Sequence, residues 1–560
     1  MTRRIAIVNR GDPARRLIQA AREFGAEGRG DLRTIAFHAE GERTSAYVRL
    51  ADERELIRSS DLGNPYRDLA ELERALVDSR ADAVWVGWGF VAEDPEFAEL
   101  CERLGVLFVG PPPEVIRKLG DKMTAKSLAE EAGLTVPDWS REAVKSADEA
   151  VRHAERLGYP LMVKAAMGRG GRGIRAAASA EELRAVFEDV RAEAWRAFGD
   201  DRMFLERLVP NARCIEVDVI ADAEGNAWSP GLRDCTVQRS YRKLIEESAS
   251  PDLGAARSAE IRHDAVNLML RAGYRSAGTV EFLFQPDDGS LYFTEVNPRL
   301  QVGHSVTEVT TDLDLVKLQL HVAFGGSLDP EPPTERGHAI EVRLNAEDAE
   351  RGFAPAPGEL DLLALPTGPG VRIDTGLTEG DTIPPDYDAL IAKVIARGRD
   401  RPEALARLRR AIGEMAVIVR GGATNRSLLL DLVDRPEFVS GAVDTGWLDR
   451  LEEEEGLISE AHADVALVYA AIAAYDADEA VARRSFYASA RRGRPQASDQ
   501  AAGQVELRRR GHDYRLSVAR AGASTYRVSV DGQTIEADLE RLGRFGGRIG
   551  LAGRTHRVLT

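Results

Sequence analysis

The first 112 residues alternate between short apolar runs and amphipathic segments, and this alternation restricts the fold more than any other feature. The runs "RIAIVN", "TIAFHAE" and "AVWVGWG" have the composition of buried strands. The segments "PARRLIQAAREFG" and "DLAELERALVDS" carry apolar residues at helical spacing. Strands that alternate with helices in this way form a parallel sheet covered by helices. The sequence therefore predicts a parallel α/β domain over residues 1–112.

Three further regions follow, each with its own pattern. The stretch "GPPPE" separates the first domain from a mixed α+β region at 113–330. Residues 331–450 add strands and the helical segment "RPEALARLRRAIGEM". Residues 451–560 contain an apolar helical segment, a polar linker over 491–504, and a stretch that alternates with period two. We predict α/β and α+β domains, followed by a helix and a small antiparallel β-barrel.

Charge and hydropathy argue against two classes of function. A net charge of −17 is unsuited to sequence-independent binding of nucleic acid, which needs a basic face. The chain has no run of eighteen apolar residues, so we predict no membrane span. Its N-terminal run does not have the pattern of a signal peptide. Three cysteines without metal-ligand spacing fit a reduced, cytoplasmic protein.

Lysine is rare in this chain, whereas arginine is abundant. The eight lysines are Lys118, Lys122, Lys126, Lys145, Lys164, Lys243, Lys317 and Lys393. Since arginine serves wherever a general cation suffices, a retained lysine is more often than usual a position that needs a compact ammonium group.

A glycine-rich segment, "YPLMVKAAMGRGGRGI", follows an apolar strand that ends near Lys164. Gly168, Gly170, Gly171 and Gly173 would let backbone N–H groups approach phosphate oxygens, and the lysine would add a positive charge. The segment is not a Walker loop, because no Gly-Lys-Ser/Thr opens a helix. A phosphate-binding loop and a flexible loop without a ligand are both compatible with this pattern.

The segment "GTVEFLFQPDDGSLYFTEVN" predicts a hairpin with two apolar strands. Glu281 and Glu295 are an even number of residues apart, so a symmetric turn would place them opposite each other on one face. Two facing carboxylates require a cation between them, and Mg²⁺ or Mn²⁺ bound to phosphate fits best. Asn297 would lie on the same side. The alternative is a solvated edge face, although the rest of the hairpin is apolar.

The segment "RDCTVQRSYRKLIEES" concentrates polar and basic side chains, among them Gln238, Arg239, Arg242 and Lys243. It is either solvated surface or an anion site.

An ordered series of motifs resembles biotin carboxylase, the ATP-grasp component of biotin-dependent carboxylases, over roughly residues 3–448. The series consists of "IAIVNRGDPARRLI", "GWGFVAEDPEFAELC", "GPPPEVIRKLGDKMTAK", "RDCTVQR", "EVNPRLQV", "AIEVRLNAED" and "YDALIAKVIARGRDRPEALARLRRAI". The resemblance implies a ligase that uses ATP and bicarbonate to form carboxyphosphate, and then carboxylates biotin.

The resemblance also implies roles for individual residues. The ATP site would comprise Lys122, Lys164, Gly168, Gly170, Gly171, Gly173, Glu206 and Gln238, with Glu206 at the adenine end. The metal ligands would be Glu281, Glu295 and Asn297. Bicarbonate and the biotin ureido ring would be held by Lys243, Arg299, Gln301 and Val302. Arg343 would stabilise the biotin enolate.

The chain departs from the family at several of these places. The family has Glu at position 303, where it is the base that deprotonates bicarbonate, whereas this chain has Gly303. The other departures are Cys214 and Tyr241 for histidines, Met167 and Arg169 for glycines, and Trp88 for a tyrosine. We expect Gly303→Glu to raise bicarbonate-dependent ATP cleavage, and more so with Tyr241→His, because Tyr241 could fill the vacated space.

Residues 451–560 are similar in pattern to the module that joins carboxylase and carboxyltransferase in acyl-CoA carboxylases. The chain has no lysine after Lys393, so this tail cannot carry biotin. The implied partners are a separate biotin carboxyl carrier protein and a carboxyltransferase, in a homo- or hetero-oligomer. Three functions remain open: an active biotin carboxylase, a non-catalytic scaffold, and an ATP-grasp ligase with a changed carboxylate acceptor.

Overall fold

The computed structural model describes residues 2–58, 63–454, 457, 460–493, 503–509, 511–530 and 532–560. Residues 494–502 of the predicted polar linker lie outside these ranges. No helix among the described residues is long and apolar enough to cross a membrane.

The N-terminal region is the predicted parallel α/β domain. Its elements are β1 (Arg3–Ile7), α1 (Gly11–Ala26), β2 (Leu32–His38), α2 (Ala46–Leu50), β3 (Glu53–Leu56), α3 (Leu69–Ser79), β4 (Ala83–Trp85), α4 (Pro95–Leu104) and β5 (Leu107–Phe108). The strands are parallel and lie in the order β3-β2-β1-β4-β5. Apolar side chains of β1 and β4, such as Ile5 and Trp85, are fully buried against α1.

The next region contains both helices and antiparallel strands. Its elements are α5 (Pro113–Gly120), α6 (Lys122–Glu131), α7 (Ala147–Leu157), β6 (Leu161–Ala165), β7 (Ile174–Ala177), α8 (Ala180–Phe198), β8 (Met203–Arg207), β9 (Arg213–Ala221), β10 (Ala227–Trp228), β11 (Leu232–Arg239), β12 (Arg242–Ser248), α9 (Ala255–Ala272), β13 (Ser276–Gln285), β14 (Ser290–Asn297), α10 (His304–Thr311) and α11 (Leu315–Ala323). The strands β7-β6-β8 form a separate small sheet, which carries the glycine-rich hairpin.

The third region contributes β15 (His338–Asn345), β16 (Glu347–Asp348), β17 (Ala354–Pro355), β18 (Gly358–Ala364), β19 (Val371–Asp374), β20 (Thr382–Ile383), β21 (Leu390–Gly398), α12 (Arg401–Glu414), β22 (Ala416–Arg420), α13 (Arg426–Asp434), α14 (Pro436–Ser440) and α15 (Trp447–Glu453). One large sheet runs through the second and third regions in the order β14-β13-β9-β11-β12-β15-β21-β19, and β10 pairs with β9. The pairing of β12 with β15 joins the two regions, with Glu246 opposite Glu341. Residues far apart in sequence therefore meet on one continuous sheet.

The tail consists of α16 (Ala463–Ala490) and the strands β23 (Gly503–Arg509), β24 (His512–Arg520), β25 (Thr525–Val530), β26 (Gln533–Leu542), β27 (Gly546–Leu551) and β28 (Arg554–Leu559). The strands pair antiparallel in sequence order. The sheet packs on the helix through apolar residues that include Val468, Ile472, Leu516, Val528 and Ile549. The predicted fold class, mixed α/β with a helix and antiparallel sheet at the end, is confirmed.

Candidate active site

A row of charged side chains crosses four neighbouring strands of the large sheet. Glu295 on β14 lies opposite Glu281 on β13, Glu281 lies opposite Glu216 on β9, and Glu216 lies opposite Arg233 on β11. Glu216 and Arg233 are completely buried. An apolar sheet surface holds such a row only if each charge finds a partner, and the partners define the site.

The predicted opposition of Glu281 and Glu295 is confirmed by the strand register. Asn297 lies with them, since its Nδ2 donates to Glu281 Oε1 over 2.7 Å. Each carboxylate is neutralised by a lysine: Lys122 pairs with Glu295, and Lys243 Nζ lies 2.8 Å from Glu281 Oε1. Burial and repulsion from Glu216 raise the pKa of Glu281. Because two facing carboxylates and a neighbouring amide supply oxygen ligands, the donor set fits Mg²⁺ or Mn²⁺.

A second cluster pairs two lysines with one acid, Glu206, and Lys122 lies nearby. Glu206 Oε1 accepts from Lys164 Nζ, and its Oε2 lies 2.5 Å from Lys126 Nζ. Burial disfavours the Glu206 carboxylate, but the two ammonium groups outweigh it and bring its pKa to about 2. Burial and the neighbouring Lys164 lower the pKa of Lys122 to about 8. The cluster therefore concentrates positive charge at the edge of the paired carboxylates.

The glycine-rich segment forms the hairpin loop between β6 and β7, and Lys164 lies in β6. Gly170, Gly171 and Gly173 have positive φ angles of 61°, 74° and 70°, a conformation that other residues rarely adopt. Gly171 also packs closely on the turn at Ser240, since a Cβ there would lie 2.9 Å from the carbonyl oxygen of that residue. Gly168 has no such angle, but a Cβ there would crowd the Arg172 carbonyl oxygen.

Arg169 fastens this loop to the N-terminal domain. Its Nε lies 2.9 Å from Glu93 Oε2, and its Nη2 donates to the Glu93 carbonyl oxygen over 2.8 Å. Glu93 also pairs with Arg299, and the two guanidinium groups lower its pKa although burial acts in the opposite direction. The departure from glycine at position 169 thus links the loop to Arg299 through Glu93.

The residues expected around bicarbonate and biotin form one connected network. Arg299 Nη1 donates to Gln301 Oε1, and Gln301 Nε2 donates to Glu216 Oε1, each over 2.8 Å. Lys243 pairs with Glu216 as well as with Glu281, and these carboxylates raise its pKa against the effect of burial. The network therefore adjoins the predicted metal ligands directly.

Arg343 lies on β15 and pairs with Glu246. Val302 contributes its backbone carbonyl, which accepts from Lys393 Nζ over 3.0 Å. Gln238 is buried on β11, opposite Lys243 in the β11–β12 register. Arg239 turns away from the pocket and pairs with Glu452, so only part of the basic segment faces the site.

The space beside Gly303 is filled by Glu246. A Cβ at position 303 would lie 2.6 Å from Glu246 Cδ, closer than real Cβ atoms approach, and 3.0 Å from its Oε1. The expectation that Tyr241 fills this space is wrong, because Tyr241 is 43% exposed and its hydroxyl contacts Met162 Sδ at 3.8 Å. The expected gain from Gly303→Glu therefore meets a steric obstacle in Glu246, whose carboxylate must first move.

The remaining departures lie close to the same surface. Cys214 is buried, with Sγ 3.9 Å from Glu281 Oε2, and burial raises the pKa of its thiol well above the usual value. Trp88 packs against the ring of His304 at 5.3 Å and beneath Lys393 Nζ at the same distance. Met167 lies in the loop that follows β6.

Several site residues escaped the sequence analysis: Lys126, Glu93, Glu216, Arg233 and Glu246. The scarcity of lysine was a usable signal for Lys126, whose side chain is fully buried. Glu216 stands with Asp218 in the otherwise mostly apolar strand "RCIEVDVIA", where acids are themselves a signal. Glu246 gave none, because its role depends on the pairing of β12 with β15 and on its contact with Gly303.

A glycine-rich hairpin that closes on a sheet bearing paired carboxylates and a lysine cluster defines an ATP-grasp enzyme. The family model "Carbamoyl-phosphate synthase L chain, ATP binding domain" matches residues 121–331. The models "Biotin carboxylase, N-terminal domain" and "Biotin carboxylase C-terminal domain" match residues 1–116 and 341–450. The chain belongs to the biotin carboxylase family.

Two named relatives are similar to this chain over most of its length. Biotin carboxylase 1 of Bacillus subtilis is 39% identical over 451 residues, which cover 80% of this chain and 98% of that protein. The biotin-dependent acyl-coenzyme A carboxylase alpha3 subunit of Mycobacterium leprae is 40% identical, over 80% of this chain and 74% of its own length.

Among solved structures, the biotin carboxylase domain of Hydrogenobacter thermophilus 2-oxoglutarate carboxylase, in complex with MgADP, ADP and bicarbonate, has a TM-score of 0.78 and 36% identity. It is matched over 82% of this chain and 99% of its own. The biotin carboxylase–βγ-ATP complex from Campylobacter jejuni has a TM-score of 0.76 at 33% identity, over 80% of this chain and 98% of its own.

Proposed function

We propose that the chain carboxylates biotin on a separate carrier protein, using ATP and bicarbonate, as the biotin carboxylase component of an acyl-CoA-type carboxylase. The observation that carries this proposal is the position of Lys243, which contacts both Glu281 and Glu216. Glu281 belongs to the predicted metal site, and Glu216 holds Gln301 of the anion pocket. Lys243 would therefore contact both the site for the ATP phosphates and the site for bicarbonate. Two sites that share one cation hold their ligands close together, which suits phosphoryl transfer from ATP to bicarbonate.

The ATP phosphates would be held by Lys122 and Lys164, with Glu206 at the adenine end and the loop glycines Gly168, Gly170, Gly171 and Gly173 above the nucleotide. Gln238 would complete this site. Glu281, Glu295 and Asn297 would hold Mg²⁺ or Mn²⁺, which neutralises phosphate oxygens when it is bound. Lys122 and Lys243 now balance the two carboxylates, and their ammonium groups would turn toward the phosphates.

The acceptor pocket would be formed by Lys243, Arg299, Gln301 and the Val302 backbone, which hold bicarbonate and the biotin ureido ring. Arg343 would stabilise the enolate of biotin after loss of its N1 proton. The side chains of Lys243 and Arg343 are not sealed from solvent, since they retain 14% and 18% of their surface. A carried biotin could therefore reach them.

Residues 451–560 cannot themselves carry the biotin, because no lysine lies among them. Residues 451–560 would dock a carboxyltransferase subunit or domain, in a homo- or hetero-oligomer. Support comes from the Mycobacterium leprae relative, which is named as an acyl-coenzyme A carboxylase subunit. The final acyl acceptor would be chosen by that partner.

The proposal is tested by ATP hydrolysis of the purified chain, with and without bicarbonate and free biotin. We expect hydrolysis to depend on bicarbonate, and carboxybiotin to form when biotin is present. A chain that binds ATP but never turns it over would be a scaffold. Turnover that ignores bicarbonate would indicate a ligase with a different acceptor, and either result contradicts the proposal.

A further inference from the structure

We propose that Glu246, on β12, is the carboxylate that takes the proton from bicarbonate in this chain. The inference rests on the proposed function and identifies the acid–base residue of the same site. It begins from Gly303, whose backbone needs no glycine: φ is −80°, in a range open to any residue. What distinguishes the position is its neighbour, because the Glu246 carboxylate occupies the place that a Cβ at residue 303 would take.

The position of Glu246 is chemically specific. It is 1% exposed, and it pairs with Arg343, whose side chain retains 18% of its surface. Its Oε2 lies 3.3 Å from Arg233 Nε and accepts from Cys235 Sγ at 3.5 Å. Arg233 also holds Glu216, which contacts Lys243 and Gln301. Glu246 is thus connected to Arg343 directly and to Lys243 and Gln301 through Arg233 and Glu216, and its carboxylate lies against the backbone at Gly303.

Bicarbonate carries one proton, which must leave as an oxygen attacks the γ-phosphorus of ATP. In the proposed step the proton passes to Glu246, a bond forms between that oxygen and phosphorus, and the bond from phosphorus to the ADP oxygen breaks. The products are ADP, carboxyphosphate and a neutral Glu246, which later returns its proton to solvent. A positioned base of this kind contributes about 10²–10⁴-fold to a rate.

Proton uptake by Glu246 has a second consequence. Its ion pair with Arg343 is charge-assisted, and a neutral carboxyl group holds a guanidinium much less strongly. Arg343 would then be free to turn toward the anion that forms on biotin. The same proton would therefore activate bicarbonate and release the arginine for the next step.

Two other interpretations of Glu246 are weaker. Oxygen and sulfur ligand atoms of Glu216, Cys235 and Glu246 lie within 4.8 Å of one another, as in a metal site. Arg233, Arg343 and Lys243 already neutralise both carboxylates, so no metal ion is needed there. A purely structural ion pair between Glu246 and Arg343 is the other alternative. Such a pair would not require the carboxylate to lie against the backbone at Gly303.

Glu341 provides a matched control. It lies opposite Glu246 on β15, and its Oε2 accepts from Ser305 Oγ over 2.5 Å. Burial, followed by repulsion from Glu246, raises the pKa of Glu341 to about 7. The same carboxylate-to-amide change at Glu341 would show whether ATP cleavage depends on Glu246 in particular or on any buried acid in this part of the sheet.

The experiment compares four variants in the full chain: Glu246→Gln, Glu246→Ala, Glu341→Gln and the relocated pair Glu246→Ala/Gly303→Glu. The readouts are bicarbonate-dependent ATP cleavage, with and without biotin, and equilibrium binding of MgADP. We expect Glu246→Gln to lose about 10²-fold or more of the cleavage rate with nucleotide binding unchanged. Glu341→Gln should stay within about tenfold, and the relocated pair should recover at least about tenfold over Glu246→Ala.

Equal rates in wild type and Glu246→Gln would overturn the inference while leaving the proposed function intact. So would a larger loss in Glu341→Gln than in Glu246→Gln. If Glu246→Gln also weakens nucleotide binding, the relocated pair decides: recovery supports the inference, and no recovery over Glu246→Ala contradicts it. If ATP cleavage by the wild-type protein does not depend on bicarbonate, the proposed function itself is wrong.

Discussion

Glu295→Gln is expected to reduce MgATP turnover by about 10³-fold or more, because a lost metal ligand removes several kcal/mol of charge stabilisation. Glu295 lies opposite Glu281 and is partly exposed at the edge of the sheet. Its amide replacement keeps the shape of the side chain but not its charge. The fold should survive, since Glu295 pairs with Lys122 rather than anchoring a hydrophobic cluster.

The matched control is Asp287→Asn, which also replaces a carboxylate by its amide, at the exposed turn of the same hairpin. Steady-state turnover and thermal unfolding are measured for both variants at saturating Mg²⁺, and MgADP affinity is measured alongside. Undiminished hydrolysis by Glu295→Gln would remove this residue from the metal site. Equal losses in the two variants would point to damage of the hairpin instead.

Arg233→Met is expected to lower the free energy of unfolding by about 3–5 kcal/mol, the usual result of removing one partner from a buried ion pair. The Arg233 guanidinium is fully buried and lies 2.6 Å from Glu216 Oε2, with Asp218 and Glu246 as further partners. Methionine fills much of the same volume, so the loss would come from carboxylates left without their shared cation rather than from a cavity.

Arg242→Met serves as the control, because Arg242 is exposed at the start of β12. Urea titration of both variants gives the two free energies under one set of conditions. The control should change by less than about 1 kcal/mol, as exposed charges usually do. A similarly small change in Arg233→Met would mean that Arg233 is not the common partner of these acids.

Local patterns carried much of the fold. The alternation of apolar runs and amphipathic helical segments over residues 1–112 predicts a parallel sheet, because buried strands and amphipathic helices can each be recognised from the local spacing of their apolar residues. The hairpin acids illustrate a correct result with a different cause. Glu281 faces Glu295 because the strand register shifts by one residue between this pair and the next pair, Phe282 and Phe293. The sequence pattern predicts the same opposition from a symmetric turn without a shift.

Long-range pairing could not be predicted in the same way. The contact between Glu246 and Gly303 depends on how β12 lies beside β15 and on the start of α10, and no local period encodes either arrangement. For the same reason Gly303 was interpreted as a lost carboxylate. The structure places another carboxylate over it, supplied by a strand almost sixty residues earlier in the chain.

The most direct test of the account follows the oxygen atoms of bicarbonate. The chain is mixed with ATP and ¹⁸O-labelled bicarbonate in unlabelled water, the reaction is quenched before the label exchanges, and the phosphate is analysed by mass. If bicarbonate attacks the γ-phosphorus, each phosphate released from carboxyphosphate carries one ¹⁸O atom. Phosphate that contains only unlabelled oxygen would mean that water is the attacking group, and the proposed transfer from ATP to bicarbonate would be wrong.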